Sequence, residues 1–233
     1  MKREGTNGNE HVIRAANLTV GYSGYPRVLS QIDFQWEGAG IHLIIGENGS
    51  GKSTLIRTLA GLQKQRGGTV FWGNEDVSQI SSTRRTAKMA FVQSLPPRQS
   101  ELTVSEALAL SGRKEENISQ WLHTFDLLDM TTKSLCDLSD GLGQRVMLVR
   151  AILQDTPWIL LDEPTAFLDV KSRQVMWAQL SALVSKGKRV MVSSHDYHLL
   201  EGNLDLRSVT AIQENRLHAL NPAGTCADWN AHI

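Results

Sequence analysis

The sequence has no apolar run long enough to cross a bilayer. Nothing in its 233 residues approaches the roughly 18 consecutive apolar residues that mark a spanning helix. Any work at a membrane has to pass through a partner. Residues 1–10 are polar, lack the apolar region of a secretion signal and read as a short disordered arm. Cysteine is scarce: Cys136 and Cys226 lie far apart, without metal-ligand spacing. Both fit a reducing compartment and read as packing residues. Net charge is also missing, because Lys plus Arg and Asp plus Glu each number 24. No global positive field favours nucleic acid. There is no internal repeat and no low-complexity tract. A chain of this length buries well over half of its unfolded surface, so it needs no disulfide or metal staple. It reads as one domain with an insert, residues 11–233.

What is present begins with Gly46-Glu47-Asn48-Gly49-Ser50-Gly51-Lys52-Ser53-Thr54. The segment fits the phosphate-binding pattern G-x-x-x-x-G-K-[ST]. Ile41-His42-Leu43-Ile44-Ile45 before it reads as a buried strand, and Leu55-Ile56-Arg57-Thr58-Leu59-Ala60 after it as a helix. Glycines let the backbone curl until successive N–H groups face one anion, and the helix N-terminus adds its dipole. Lys52 is expected on the β- and γ-phosphates and the Ser53 hydroxyl on Mg²⁺.

Along the chain, residues 12–20 and 28–36 read as strands parted by the turn-rich segment 21–26. Residues 69–73 and 89–92 are further short strands. Between 103 and 132 the spacing turns helical, with Val104, Ala107 and Leu108, then Ile118, Trp121, Leu122 and Phe125. This predicts a helical subdomain, residues 95–137, inserted into an α/β core, with linkers at Pro96-Pro97 and over 136–143. Helices are expected at 144–153 and 171–186, strands at 158–162 and 189–193, and two strands around Glu214-Asn215. Alternating strands and helices imply a mostly parallel sheet with nucleotide at the C-terminal strand ends.

Three strand ends carry polar groups toward that edge. Asp162 follows four apolar residues and is suited to hold Mg²⁺, while Glu163 can orient or deprotonate an attacking water. His195 ends the next strand and is expected to donate a hydrogen bond to the γ-phosphate. Gln93 ends another; its amide can bind Mg²⁺ or water, or it is simply a polar loop residue.

Taken together these residues resemble the ATP-binding subunit of an ABC transporter, over about residues 12–224. The phosphate loop, Gln93, Leu138-Ser139-Asp140-Gly141, Leu160-Leu161-Asp162-Glu163, Leu168-Asp169 and His195 fall in the family's order. The resemblance implies a P-loop NTPase core with a mostly parallel sheet, N-terminal antiparallel strands and the inserted helical subdomain. It implies ATP and Mg²⁺, with Tyr22 stacking on adenine and Gln93 and Asp162 joining Ser53 at the metal. Ser139 and Gly141 would bind the γ-phosphate held by the opposite copy of a homodimer, and Asp169 would lie in the loop crossing that interface. It further implies a peripheral place on the cytoplasmic face of the inner membrane, driving a permease supplied by a periplasmic or extracellular substrate-binding protein. Two positions depart from the family's Leu-Ser-Gly-Gly-Gln: Asp140 replaces a glycine and Leu142 a glutamine or glutamate. Leu102-Thr103-Val104, Ala109-Leu110-Ser111-Gly112-Arg113, the Leu-Ser-Asp-Gly variant and Ser194-His195-Asp196 are similar to the ATPases of bacterial iron-chelate, haem and cobalamin importers. The rival reading is a soluble ABC-type ATPase of a scaffold complex, such as iron–sulfur cluster assembly.

Overall fold

Two sheets of opposite character enclose one helix. The computed structural model describes residues 11–112, 115–195 and 205–230, and the arm expected over residues 1–10 lies outside them. The first sheet is antiparallel, ordered β2-β1-β4-β5, from β1 (Ile13–Tyr22), β2 (Tyr25–Trp36), β4 (Gly67–Trp72) and β5 (Glu75–Asp76). The second is ordered β10-β9-β3-β8-β7-β6, from β3 (Gly40–Ile45), β6 (Met89–Val92), β7 (Trp158–Asp162), β8 (Arg189–Ser194), β9 (Leu206–Gln213) and β10 (Arg216–Leu220). Its strands run parallel except β10, which pairs antiparallel with β9.

Strand periodicity sorts the core into two layers. Ile41, Leu43, Ile45, Ile159, Leu161, Val190 and Val192 face one way, packing with α5 (Asp140–Leu153), α6 (Val170–Val184) and the helical insert. The alternate residues Ile44, Trp158, Leu160 and Met191 face the other way, with α1 (Lys52–Leu59) and the antiparallel sheet. The central strands are buried on both faces, which is why they read as unbroken apolar runs. Their C-terminal ends come together at one edge: β3 runs into the phosphate loop, β7 into Glu163, β8 into His195 and β6 into Gln93.

The structure departs from the sequence reading at several points. The expected break over 21–26 shrinks to a tight hairpin, with Tyr22 opposite Tyr25 and Gly24 at φ +91° turning the corner. The insert holds α3 (Val104–Ala109), α4 (Glu115–Thr124) and two single 3₁₀ turns, closed at its neck by a bridge between Thr103 and Ser134. The linker expected over 136–143 is half helix: α5 starts at Asp140, because Ser139 caps it by accepting from the Leu142 N–H. Cys226 is buried in the core, but Cys136 is exposed on a 3₁₀ turn, 3.2 Å from the Ser134 hydroxyl. Two short helices had no apolar stripe to reveal them, α2 (Ser82–Lys88) and α7 (Cys226–Asn230). Among the described residues no helix is long and apolar enough to cross a membrane.

Candidate nucleotide site

The phosphate loop closes directly onto α1, whose N-cap, Gly51, sits at φ +106° with no side chain capping the helix. A Cβ at Gly51 would lie 2.5 Å from Val28 Cγ1, and one at Gly46 would lie 2.8 Å from Ser50 Oγ and 2.9 Å from the Ile212 carbonyl. Side chains are excluded there, which leaves backbone N–H groups lining the hollow. Ser50 Oγ is buried in this loop with no hydrogen-bond partner. Glu47, Asn48, Gly49 and Ser50 form one wall of a cleft of about 400 Å³, and residues 212–215 form the other.

Lys52 is 4% exposed and fully engaged. Its Nζ donates to the Gly46 and Glu47 carbonyls at 2.7 and 2.9 Å and pairs with Glu163 Oε1 at 3.2 Å. The other Glu163 oxygen accepts from the His195 N–H at 3.2 Å and lies 2.8 Å from His195 Nδ1. Glu163 is thus held between a lysine from the loop and a histidine from the neighbouring strand end. Its backbone stands at φ +48°, left-handed for a residue with a side chain, and its N–H donates to the Ser193 carbonyl and hydroxyl, both at 3.1 Å. That kink at the end of β7 turns the carboxylate to the sheet edge, a strain of the kind that collects at functional sites.

Asp162 is fully buried. Its Oδ1 accepts from Ser53 Oγ and Ser193 Oγ, each at 2.8 Å. Its Oδ2 is buried without a hydrogen bond, and the closest cation is Arg57 Nη2 at 3.8 Å. Burial raises the pKa of this carboxyl above the ordinary aspartate value, against the pull of the two hydroxyls. The site therefore offers a buried carboxylate oxygen that accepts no hydrogen bond, next to the Ser53 hydroxyl. These are hard oxygen donors of the type Mg²⁺ takes alongside substrate phosphates, so the residues fit that ion.

The remaining expected residues are not joined to this network by any hydrogen bond or ion pair among the described residues. Gln93 lies at the adjacent strand end with its side chain exposed, and its carbonyl accepts from Gln144 Nε2 at 3.4 Å. Tyr22 is 48% exposed, its ring 5.4 Å from that of Tyr25 at the hairpin tip. Ser139 caps α5 and is exposed, while Gly141 lies against the Phe167 carbonyl, which a Cβ would approach to 2.7 Å. Asp169 caps α6, accepting from the Ser172 N–H at 2.7 Å, and this bond holds its carboxyl below the usual range. Leu142 packs partly buried on the core rather than standing as a polar surface group.

Sequence reasoning missed Ser193, which ties Asp162 and Glu163 together. It pairs directly with Asp162 in the parallel ladder, so two polar residues at matching strand ends were the available signal. Gln144, fully buried on α5, was also missed.

The ABC transporter family model matches residues 29–166, more than half of the chain. A putative ABC transporter ATP-binding protein of Listeria monocytogenes serotype 4b (strain F2365) is 30% identical over 200 residues, covering 81% of this chain and 75% of the relative. The achromobactin transport ATP-binding protein CbrD of Dickeya dadantii (strain 3937) is 30% identical, covering 80% and 74%. The probable siderophore transport system ATP-binding protein YusV of Bacillus subtilis (strain 168) is 30% identical, covering 89% and 79%. A dimeric ATP-binding cassette solved in a post-hydrolysis state with ADP and Pi has the same fold, with a TM-score of 0.78, 22% identity and coverage of 91% and 99%. This chain belongs to the ABC transporter family, as its ATP-binding, ATP-hydrolysing subunit.

Proposed function

We propose that two copies of this chain close face to face around two molecules of ATP–Mg²⁺ and so drive a membrane permease that imports an iron chelate, haem or cobalamin. The observation that carries this is the convergence of Lys52, Ser53, Asp162, Glu163 and His195 at one sheet edge. In this reading the phosphate loop and Lys52 hold the β- and γ-phosphates, and Tyr22 stacks on adenine. Ser53 and Asp162 would hold Mg²⁺, with Gln93 as a further oxygen donor. Bound there, the ion would neutralise phosphate charge and steady the leaving oxygens. Glu163 orients the attacking water and takes its proton, and His195 donates to the γ-phosphate. Ser139 and Gly141 serve the γ-phosphate of the opposite copy, and Asp169 lies in the loop that crosses between the copies.

Closure follows from differential affinity. Moving a dimer from 1:99 to 99:1 takes about 5.5 kcal/mol of preference for the closed state. Two sandwiched phosphates, each with charge-assisted hydrogen bonds at roughly 1.5–3 kcal/mol, are of that size. Cleaving the γ-phosphate removes those bonds and lets the copies part. The helical insert, joined to the core beside Gln93, passes the motion to a permease on the cytoplasmic side of the inner membrane. The name of YusV, a probable siderophore transport system ATP-binding protein, supports the cargo class.

The test is the Glu163→Gln variant with ATP and Mg²⁺. It is expected to elute as a dimer in size exclusion and to release almost no phosphate. A variant that stays monomeric, or turns over at the parent rate, would overturn the reading. Co-purification with a multi-span permease and uptake of a ferric siderophore then test the cargo.

A further inference from the structure

The segment after β6 runs along the first turn of α5 and touches it three times. Gln144 Nε2 donates to the Gln93 carbonyl at 3.4 Å. Pro96 closes on Gly143, where an added Cβ would lie 2.9 Å from the proline ring. Arg98 grips Asp140 with both arms of its guanidinium, Nε donating to Oδ1 at 2.9 Å and Nη2 to Oδ2. Positions 140, 143 and 144 share one face of the helix, so the contacts form a single seam.

Asp140 stands between Ser139 and Gly141, the two groups assigned above to the γ-phosphate of the opposite copy. At the start of a helix an aspartate suits the fold, because it complements the dipole. At an anion site it does not: a fixed carboxylate beside an incoming triphosphate repels it. A planar guanidinium bound through two parallel hydrogen bonds is the strongest charge-neutralising partner a side chain can offer such a carboxylate.

We propose that Arg98 is a positioning residue for ATP hydrolysis, pairing with Asp140 so that the Ser139–Gly141 segment accepts a triphosphate despite its own acid. The inference rests on the assignment of that segment under Proposed function. Arg98 touches no substrate in this scheme. It cancels the charge of Asp140 and pins its carboxylate toward residues 93–98. The pair lies near the surface, with the side chains 65% and 27% exposed, so it adds little to folding. Loss of Arg98 therefore separates function from stability.

Steady-state ATP hydrolysis by the full chain, with its permease where turnover requires it, tests this through KM and kcat. Arg98→Ala is expected to raise the KM for ATP about tenfold, to leave kcat within about twofold and to leave Tm unchanged. Arg98→Lys, which keeps the charge without the fork, should fall between. Adding Asp140→Gly to Arg98→Ala should return KM to near the parent value, since no acid then remains to cancel. An unchanged KM in Arg98→Ala, or a double variant as impaired as the single one, overturns the proposal. Should Arg98→Ala unfold, Arg98→Gln removes the charge with less loss of packing and answers the same question. Ser139→Ala, run in parallel, separates the two levels. Lost turnover there with an unaffected Arg98→Ala removes only the charge-cancelling role, whereas full turnover in Ser139→Ala removes the segment assignment beneath it.

Discussion

The two halves of the candidate ATP site differ in how the chain holds them. Lys52, Ser53, Asp162, Glu163, Ser193 and His195 interlock through hydrogen bonds and ion pairs, and Lys52 and Asp162 are almost wholly buried. Ser139 and Asp169 are exposed, and among the described residues each side chain accepts its hydrogen bond from its own helix. One half is preorganised by the core; the other is a pair of helix caps displayed on the surface. Buried polar networks of this kind fix geometry before a ligand arrives. Exposed caps gain a ligand only when a second surface is brought to them. The asymmetry fits the proposed division of the site between two copies.

The largest effect that could break this comparison is on turnover. Glu163→Gln keeps the shape of the side chain but cannot accept a proton, so phosphate release should fall by about 10²–10⁴-fold, the range of general-base catalysis. A continuous phosphate assay measures it, and a variant within threefold of the parent would remove Glu163 from that role. Next is binding by the buried half alone. Lys52→Ala should weaken ATP binding by at least about a hundredfold in calorimetry, since it removes the charge-assisted contact proposed to the phosphates. Ser139→Ala should leave that single-copy affinity unchanged and lower turnover by about tenfold. If both variants lose calorimetric affinity equally, the division into a buried and a displayed half is wrong.

Asp162→Asn sharpens the same contrast through stability. The amide oxygen can still accept from Ser53 and Ser193, but the charge that burial disfavours at Asp162 is gone. Without nucleotide, Tm should rise by about 2–4 °C, the shift expected for roughly 1 kcal/mol in a chain of this size. Mg²⁺-dependent turnover should collapse. A drop in Tm would mean that the carboxylate is better compensated than its geometry indicates.

The last effect lies away from both halves, in the shared core, and touches stability alone. His42 on β3 is buried beside Trp158, its ring nitrogens meeting Ser208 Oγ at 2.9 Å and the Gly38 carbonyl at 3.2 Å. Burial lowers its pKa from 6.5 to about 4. The unfolded chain then takes up a proton near pH 6.5 that the folded chain refuses until about pH 4. Its contribution to stability is whole above pH 6.5 and is lost as the pH falls through that window, by roughly 3 kcal/mol in all. Urea midpoints between pH 7 and pH 4 should flatten in His42→Leu relative to the parent. Equal slopes would show that His42 is not the titrating group.

Much of the buried half was legible before any coordinates, and the reason is local. A phosphate loop must join a strand to a helix within a few residues, so its pattern is contiguous and its strand and helix flank it. Apolar runs ending in Asp162, His195 and Gln93 marked three more strand ends. What could not be read was how those ends pair side by side. Ser193 looked like one more strand residue until the parallel register set it opposite Asp162. The start of α5 is not legible either: the linker expected over 136–143 gives way to helix from Asp140, where the Ser139 cap sets the start.

By itself, then, the sequence determined the phosphate loop, the alternation of strand and helix, the helical insert and the list of groups with the right chemistry. These follow from short-range rules: turn geometry, side-chain periodicity and the types of donor a phosphate needs. Tertiary structure alone decided that Glu163 is shared between Lys52 and His195, that one oxygen of Asp162 is buried without a hydrogen bond, and that Arg98 closes on Asp140. Each of these joins residues distant in the chain. Their meeting depends on strand order and helix docking, which the chain sets only when its two apolar layers pack on either side of one sheet.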